Sequence, residues 1–295
     1  MSPETHTLWS IFLEAHKNVL LYTVDPGAYA LGMELSQLLQ SAGHLQGWYA
    51  EGWSSNRRPK CLPIDELPLS LVPGSTLLLG SQTNFARTHH FTRLAKISGA
   101  RSIFVFDHWK NYAEHFQADA LPDQIVVPDE MGKVFLQLAI GMEHAGRISV
   151  LPHLGIDAAV ERILAHKMRL PGNIVVLLDP TEVSDELGYD WRGVLQEVGQ
   201  RAQAMPAVTF NIKPHPRQKP EEVQHFVDGL GLPGRLKLVD LDTEELIAAV
   251  DEVWGMTTIA LVAALKAGKI IKSMQGGRNE KGKAASNHYL EPYLI

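Results

Sequence analysis

The sequence predicts an α/β protein made of two Rossmann-like domains facing one another across a central cleft. Three observations carry this expectation. Short aliphatic and β-branched runs alternate with helix-length stretches along all 295 residues, the pattern of βαβ units and parallel sheets. The unusual polar residues fall just after those runs: Asp25-Pro26-Gly27 after Asn18–Val24, Gly80-Ser81 after Ser75–Leu79, and Asp107-His108-Trp109 after Ser102–Phe106. A second set follows, with Asp179 after Asn173–Leu178, Lys213-Pro214-His215-Pro216 after Val208–Ile212, and Gly255-Met256-Thr257-Thr258 after Glu252–Trp254. Open parallel sheets bind ligands at the carboxyl ends of their strands, so two tandem sets imply two sheets.

The elements follow in order. Met1–Asn18 has a mixed polar helical pattern, and Asn18–Val24 is a first strand. Ala28–Ala42 is a helix, because Leu31, Leu35, Leu38 and Leu39 recur at helical spacing. Gln46–Ala50 is a second strand, whereas Glu51–Pro73, with Pro59, Pro63, Pro68 and Pro73, reads as mostly loop. Strand Ser75–Leu79, helix Asn84–Ser98, strand Ser102–Phe106, strand Gln124–Val127 and helix Asp129–His144 complete a first domain of residues 1–150, which ends around Gly146–Pro152. Helix Ile156–Met168 opens the second domain, residues 151–295. Its strands are Asn173–Leu178, Val208–Ile212, Leu236–Val239, Glu252–Trp254 and Lys269–Ser273, and its helices are Asp190–Met205, Pro220–Leu230, Thr243–Val250 and Thr258–Ala267. About five strands per half suit a small Rossmann-like domain. The glycine- and lysine-rich stretch after Gln275 reads as a mobile loop.

Composition narrows the function classes. Hydrophobic residues make up 45% and charged residues 20%, ordinary globular usage. A formal charge of -6 without a basic stripe argues against nucleic acid as a partner. One cysteine, Cys61, excludes an internal disulfide and fits a reducing compartment. Glu4, Glu14 and Lys17 interrupt the start, which lacks the apolar core of a secretory signal, and no apolar run approaches a membrane span. The expectation is a cytoplasmic protein with no integral membrane segment.

Four clusters can carry chemistry. In Lys213-Pro214-His215-Pro216, two prolines fix the backbone around one histidine beside Lys213 and Arg217. That is a grip for a phosphate or a ribose, or simply a proline-shaped turn with an exposed histidine. Gly255-Met256-Thr257-Thr258 joins a strand to a helix, where Gly255 permits close approach and the helix N-terminus attracts an anion. Plain N-capping by Thr257 or Thr258 explains the same residues. Asp107-His108-Trp109-Lys110-Asn111-Tyr112 offers a general base, His108, an orienting carboxylate, Asp107, and aromatics that can stack on a sugar. Its structural alternative is an Asp N-cap with Trp109 and Tyr112 packed inside. Asp25 is the competing base, in a Pro-Gly turn. Asp240-Leu241-Asp242 is better read as a helix start than as a metal site, and His89 and His90 point to different helix faces. The sequence contains neither Gly-x-Gly-x-x-Gly after the first strand nor Gly-x-x-x-x-Gly-Lys-Ser/Thr, which speaks against a nicotinamide enzyme and a P-loop ATPase.

From Asn211 to Ser273 the order strand, Lys-Pro-His-Pro, helix, strand, short helix, strand, Gly-Met-Thr-Thr, helix resembles the donor-binding half of GT-B-fold transferases. The nearest resemblance is to bacterial surface-polysaccharide enzymes of the sialyltransferase-like and glycerol-phosphate-transferase-like branches. The resemblance implies that His215 meets the nucleotide phosphate or ribose and that Thr257 and Thr258 meet the phosphates; Lys213, Arg217 and Gly255 join them as expected nucleotide-binding residues by their place in the two motifs. It implies a metal-independent transferase moving a sugar or related group from a nucleotide-activated donor to a surface-glycan precursor. No resident cofactor or metal is expected, only a nucleotide-sugar co-substrate and a glycan or lipid-linked acceptor. The alternatives are a nucleotide-sugar epimerase or hydrolase of the same fold, and a non-catalytic binding protein that kept the fold.

Overall fold

The computed structural model describes residues 2–52, 54, 61–82, 84–109, 111–170, 172–179, 191–274 and 287–295. Lys110 and residues 275–286, which cover the expected mobile loop, lie outside the described residues. The chain divides into two compact units, Met1–Ala158 and Ala159–Ile295.

The first unit is a seven-stranded, all-parallel sheet. Its strands are β1 (Val19–Thr23), β2 (Leu45–Ala50), β3 (Leu62–Pro63), β4 (Thr76–Gly80), β5 (Arg101–Val105), β6 (Gln124–Val127) and β7 (Ile148–Val150), in the order 3-2-1-4-5-6-7. Every residue of β1 and β4 is buried, because helices cover both faces of the sheet. Period-two alternation divides the core. Leu20, Tyr22, Leu77, Leu79, Phe104 and Ile125 pack with Phe91 and Leu136 on one face. Val19, Leu21, Leu78, Ile103 and Val126 pack with Trp9, Leu31, Leu35 and Leu154 on the other.

Two expectations need correction here. Ile148–Val150, read from sequence as part of a domain boundary, is β7. It pairs in parallel with β6 in the register Ile125↔Ile148, and this puts a seventh strand in the first sheet where about five were expected. Three residues between two turn-rich stretches carry too little pattern to be recognised as a strand. Likewise Glu51–Pro73, read as mostly loop, contains β3, a 3-10 turn (Ile64–Glu66) and a short helix (Leu67–Ser70). The expected helix 129–144 stops at Ile140, because Gly141 takes φ 100°, and a 3-10 turn (Met142–Arg147) follows.

The second unit is a five-stranded parallel sheet of β8 (Asn173–Leu177), β9 (Thr209–Lys213), β10 (Leu236–Leu238), β11 (Glu252–Gly255) and β12 (Ile270–Ser273), in the order 10-9-8-11-12. Ile174, Val176, Phe210, Ile212 and Trp254 pack on Leu195, Val198 and Ala202 of helix Trp191–Ala204 and on Val223 and Val227 of helix Pro220–Gly229. Arg235 closes the carboxyl end of helix Trp191–Ala204 by donating to the carbonyls of Ala202 (2.9 Å), Met205 and Val208 (3.0 Å). Asp242 accepts from Glu244 N at 2.8 Å and caps helix Thr243–Ala249.

Two buried histidines make the first unit acid-sensitive. Burial, then Arg101, lowers His16 from 6.5 to about 4, and burial, then His89, lowers His115 from 6.5 to about 3. Both are neutral in the folded chain, while the unfolded chain takes up protons below about pH 6.5. Their stabilisation is therefore complete above that pH and is lost as pH falls toward the folded values. At a full shift the upper bounds are about 3 kcal/mol for His16 and about 5 kcal/mol for His115. Urea denaturation from pH 7 to pH 4 should show a steadily falling midpoint; a flat profile would contradict this reading.

Candidate functional site

Both sheets have the doubly wound order in which the strand sequence reverses, between β1 and β4 in the first unit and between β8 and β11 in the second. Such reversals open a crevice at the carboxyl ends of the strands.

In the second unit, Asp179 follows β8 and Thr257 follows β11, so they flank the reversal point. Asp179 is 3% exposed, and its Oδ2 accepts both from Thr257 N, at 2.9 Å, and from Thr257 Oγ1. The carbonyls of this turn are held as well. Gly255 O accepts from Met274 N (2.7 Å), Met256 O from Ser273 Oγ (2.7 Å), and Thr257 O from the buried amide of Asn287 (3.1 Å). Thr258 Oγ1 accepts from Ala260 N at 3.3 Å and N-caps helix Ile259–Lys266. Gly255 serves packing, since a Cβ there would meet Leu177 O and Leu261 at 3.2 Å. Both Thr257 donors are thus held by Asp179, whereas Thr258 Oγ1 serves the turn as an acceptor.

At the end of β9, Gln218 Oε1 accepts from His215 N (2.7 Å) and His215 Nδ1 accepts from Arg217 N (3.2 Å). An imidazole that accepts at Nδ1 carries its proton on Nε2, so the ring is a fixed donor in its neutral form. Lys213 Nζ stands 3.6 Å from Asp240 Oδ1, and Arg217 is half-buried beside the turn. These three cationic or donor groups occupy one short segment. Asp179 belongs with them at the strand ends but carries no local sequence signal beyond its place after a strand.

In the first unit, Asp25 occupies the N-cap position of helix Pro26–Ser41 at the β1/β4 reversal. Gly80 ends β4, where a Cβ would come within 2.8 Å of Ala28 Cβ, so only glycine lets this helix close on the strand. Asp107 is 5% exposed and shares a mutual contact with Ser81: Ser81 Oγ donates to Asp107 Oδ1, and Asp107 N donates to Ser81 Oγ at 3.3 Å. His108 Nε2 lies 3.8 Å from Asp107 Oδ1, an ion-pair separation longer than a hydrogen bond. The expected Asp107–His108 dyad is therefore loose, because Ser81 takes the carboxylate.

Trp109 is not presented to a sugar. It is 2% exposed, donates from Nε1 to Asp129 Oδ2 at 2.7 Å, and stacks on His153 with centroids 6.4 Å apart. Tyr112 is buried too. His153 accepts at Nδ1 from Ile156 N (3.1 Å), starting helix Leu154–Ala165, and its Nε2 donates to Asp107 O (3.1 Å). Sequence reasoning also missed Glu51, which follows β2. Tyr22 OH donates to it at 2.9 Å, and Arg87 donates through Nη2 at 2.7 Å. Among the described residues, no group of three or more His, Cys, Asp or Glu side chains could hold a metal ion, and no helix is long and apolar enough to cross a membrane.

Two doubly wound parallel units in tandem define the GT-B fold, and comparison with solved structures shows that fold here. UDP-GlcNAc 2-epimerase from Methanocaldococcus jannaschii, in complex with UDP-GlcNAc and UDP, matches over 88% of this chain and 84% of its own, at 10% identity and a TM-score of 0.67. The UDP-GlcNAc 2-epimerase from Neisseria meningitidis bound to UDP-GlcNAc matches over 88% and 82%, at 13% identity and 0.59. The wall teichoic acid polymerase TagF, solved with CDPG, matches over 98% and 78%, at 10% identity and 0.51. No protein-family model and no curated protein sequence matches the chain.

Proposed function

We propose that this chain is a metal-independent transferase that moves a sugar or related group from a nucleotide-activated donor to a glycan or lipid-linked acceptor in the cytoplasm. In this reading the second unit, assigned to residues 151–295 from sequence, binds the nucleotide. Lys213, His215 and Arg217 face its phosphates or ribose, and the backbone at Gly255, Thr257 and Thr258 lies at the neighbouring strand end. The first unit binds the acceptor and supplies the base, His108 or Asp25, while Asp107 holds the loop that carries His108. Fixed donors at a departing phosphate, with two substrates held in line, supply the catalysis.

The observation that carries this reading is the His215 ring, locked at Nδ1 by Arg217 N so that its donor is preset. The solved structures of this fold support it, since their ligands are UDP-GlcNAc, UDP and CDPG. Epimerisation or hydrolysis is a second reading, favoured by the 2-epimerases among those structures. Against it, the strand-end carboxylates of Glu51, Asp107, Asp129 and Asp179 are each tied into internal hydrogen bonds.

Thermal shift with CMP, CDP, UDP and GDP identifies the nucleotide, because ligand binding to the native state raises Tm. Losing one charge-assisted contact costs about 1.5–3 kcal/mol, so His215→Ala should weaken that nucleotide roughly 10- to 100-fold by calorimetry. Unchanged affinity would move the site away from β9. Consumption of UDP-GlcNAc without any acceptor would favour the second reading.

A further inference from the structure

His115 is a polar residue in a phenylalanine cage. It is fully buried, and its ring lies 4.8 Å from Phe85, 4.9 Å from Phe104, 5.2 Å from Phe106 and 6.2 Å from Phe116 between centroids. Neither ring nitrogen has a hydrogen-bond partner among the described residues. An orphaned buried donor or acceptor costs about 1–3 kcal/mol, and phenylalanine would suit these surroundings better. A polar group kept at such a cost calls for an explanation in function or in bound water.

Two neighbours supply one. The ring of His108 lies 5.7 Å from that of His115, tilted by 34°. Helix Phe85–Ile97 brings Phe85 against the His115 ring and buries His89, close enough to His115 to act on its charge, and Thr92 at helical spacing. His89 Nε2 and Thr92 Oγ1 also lack partners among the described residues. Buried polar atoms grouped in this way are the setting in which ordered water bridges side chains.

We propose that His115 is a positioning residue for His108, joined to it through a buried water that accepts or donates as the His108 ring changes protonation. Among the described residues, the charged or titratable groups shown beside this pair are Asp107, 3.8 Å from His108, and His89, which acts on the charge of His115. Burial holds His115 neutral, so it acts as a hydrogen-bond partner and not as a second cation. Through the water it stabilises the protonated form of His108 and fixes the ring that takes up the proton. The inference rests on His108 as the proposed base, but its test needs no turnover.

Histidine ring resonances of the full chain, labelled with nitrogen-15, are followed from pH 8 to pH 5. The His115 nitrogens are expected to shift with the midpoint of His108 while His115 stays neutral. In His115→Phe the melting temperature should hold or rise, and the His108 midpoint should fall by half a unit or more, at least threefold in proton affinity. His115→Gln, which keeps a hydrogen-bonding end, should bring the midpoint back toward wild type. Immobile His115 signals through the His108 transition, or an unchanged His108 midpoint in the Phe variant, overturns the proposal. If the Phe variant does not fold, the wild-type spectrum decides alone. Intact coupling in a chain with no transferase activity would remove the proposed function and leave the coupling standing.

Discussion

His108→Gln is expected to lower kcat by about 10²- to 10⁴-fold, the usual worth of a positioned general base, with nucleotide affinity unchanged. Glutamine keeps the size and polarity of the side chain but cannot take up a proton at neutral pH. The residue follows the end of β5, where the side chain retains 16% exposure while Trp109 and Tyr112 turn inward. Asp25→Asn is expected to be milder, because Asp25 stands at a helix N-cap position, which asparagine fills as well as aspartate. A measured ranking with Asp25→Asn the more damaging would give the role to Asp25. Full activity in both variants would remove the base from the first unit.

Asp179→Ala is expected to destabilise the second unit by about 3 kcal/mol or more. The buried carboxylate accepts from both Thr257 N and Thr257 Oγ1, and its loss strands two donors at about 1–3 kcal/mol each. The turn that Asp179 holds also carries the Met256 carbonyl on Ser273 and the Thr257 carbonyl on Asn287, so the loosening spreads beyond one contact. Asp179→Asn, which keeps one acceptor, should cost less. The check is the urea midpoint of each variant at pH 7; a change within about 0.5 kcal/mol for the alanine variant would place Asp179 among ordinary surface substitutions.

Most strands were legible because a parallel sheet covered on both faces needs unbroken apolar runs. Leu20–Tyr22, Leu77–Leu79 and Val175–Leu177 are such runs, and the structure buries them all. β7 and β3 escaped because two or three residues show no period, and β3 includes a proline that normally marks a break. The strand-end position of the polar residues was legible from the same alternation. What each side chain touches was not. Thr257 meets Asp179 across 78 positions of chain, and Ser81 meets Asp107 across 26. Both pairings come from strand neighbourhood: β8 beside β11, and β4 beside β5. The inward turn of Trp109 depends on Asp129 and His153 and leaves no mark in the sequence around it.

The Asp179–Thr257 contact also has a consequence for inheritance. Either residue can be lost only through an intermediate with an orphaned, buried polar atom at the carboxyl end of the sheet, whereas a joint apolar exchange would leave fewer groups unsatisfied. Single losses at these two sites are therefore expected to cost more stability than the joint exchange. Descendants of this chain should therefore keep the pair or give up both, so that the Asp179 carboxylate persists for the sake of the turn it holds.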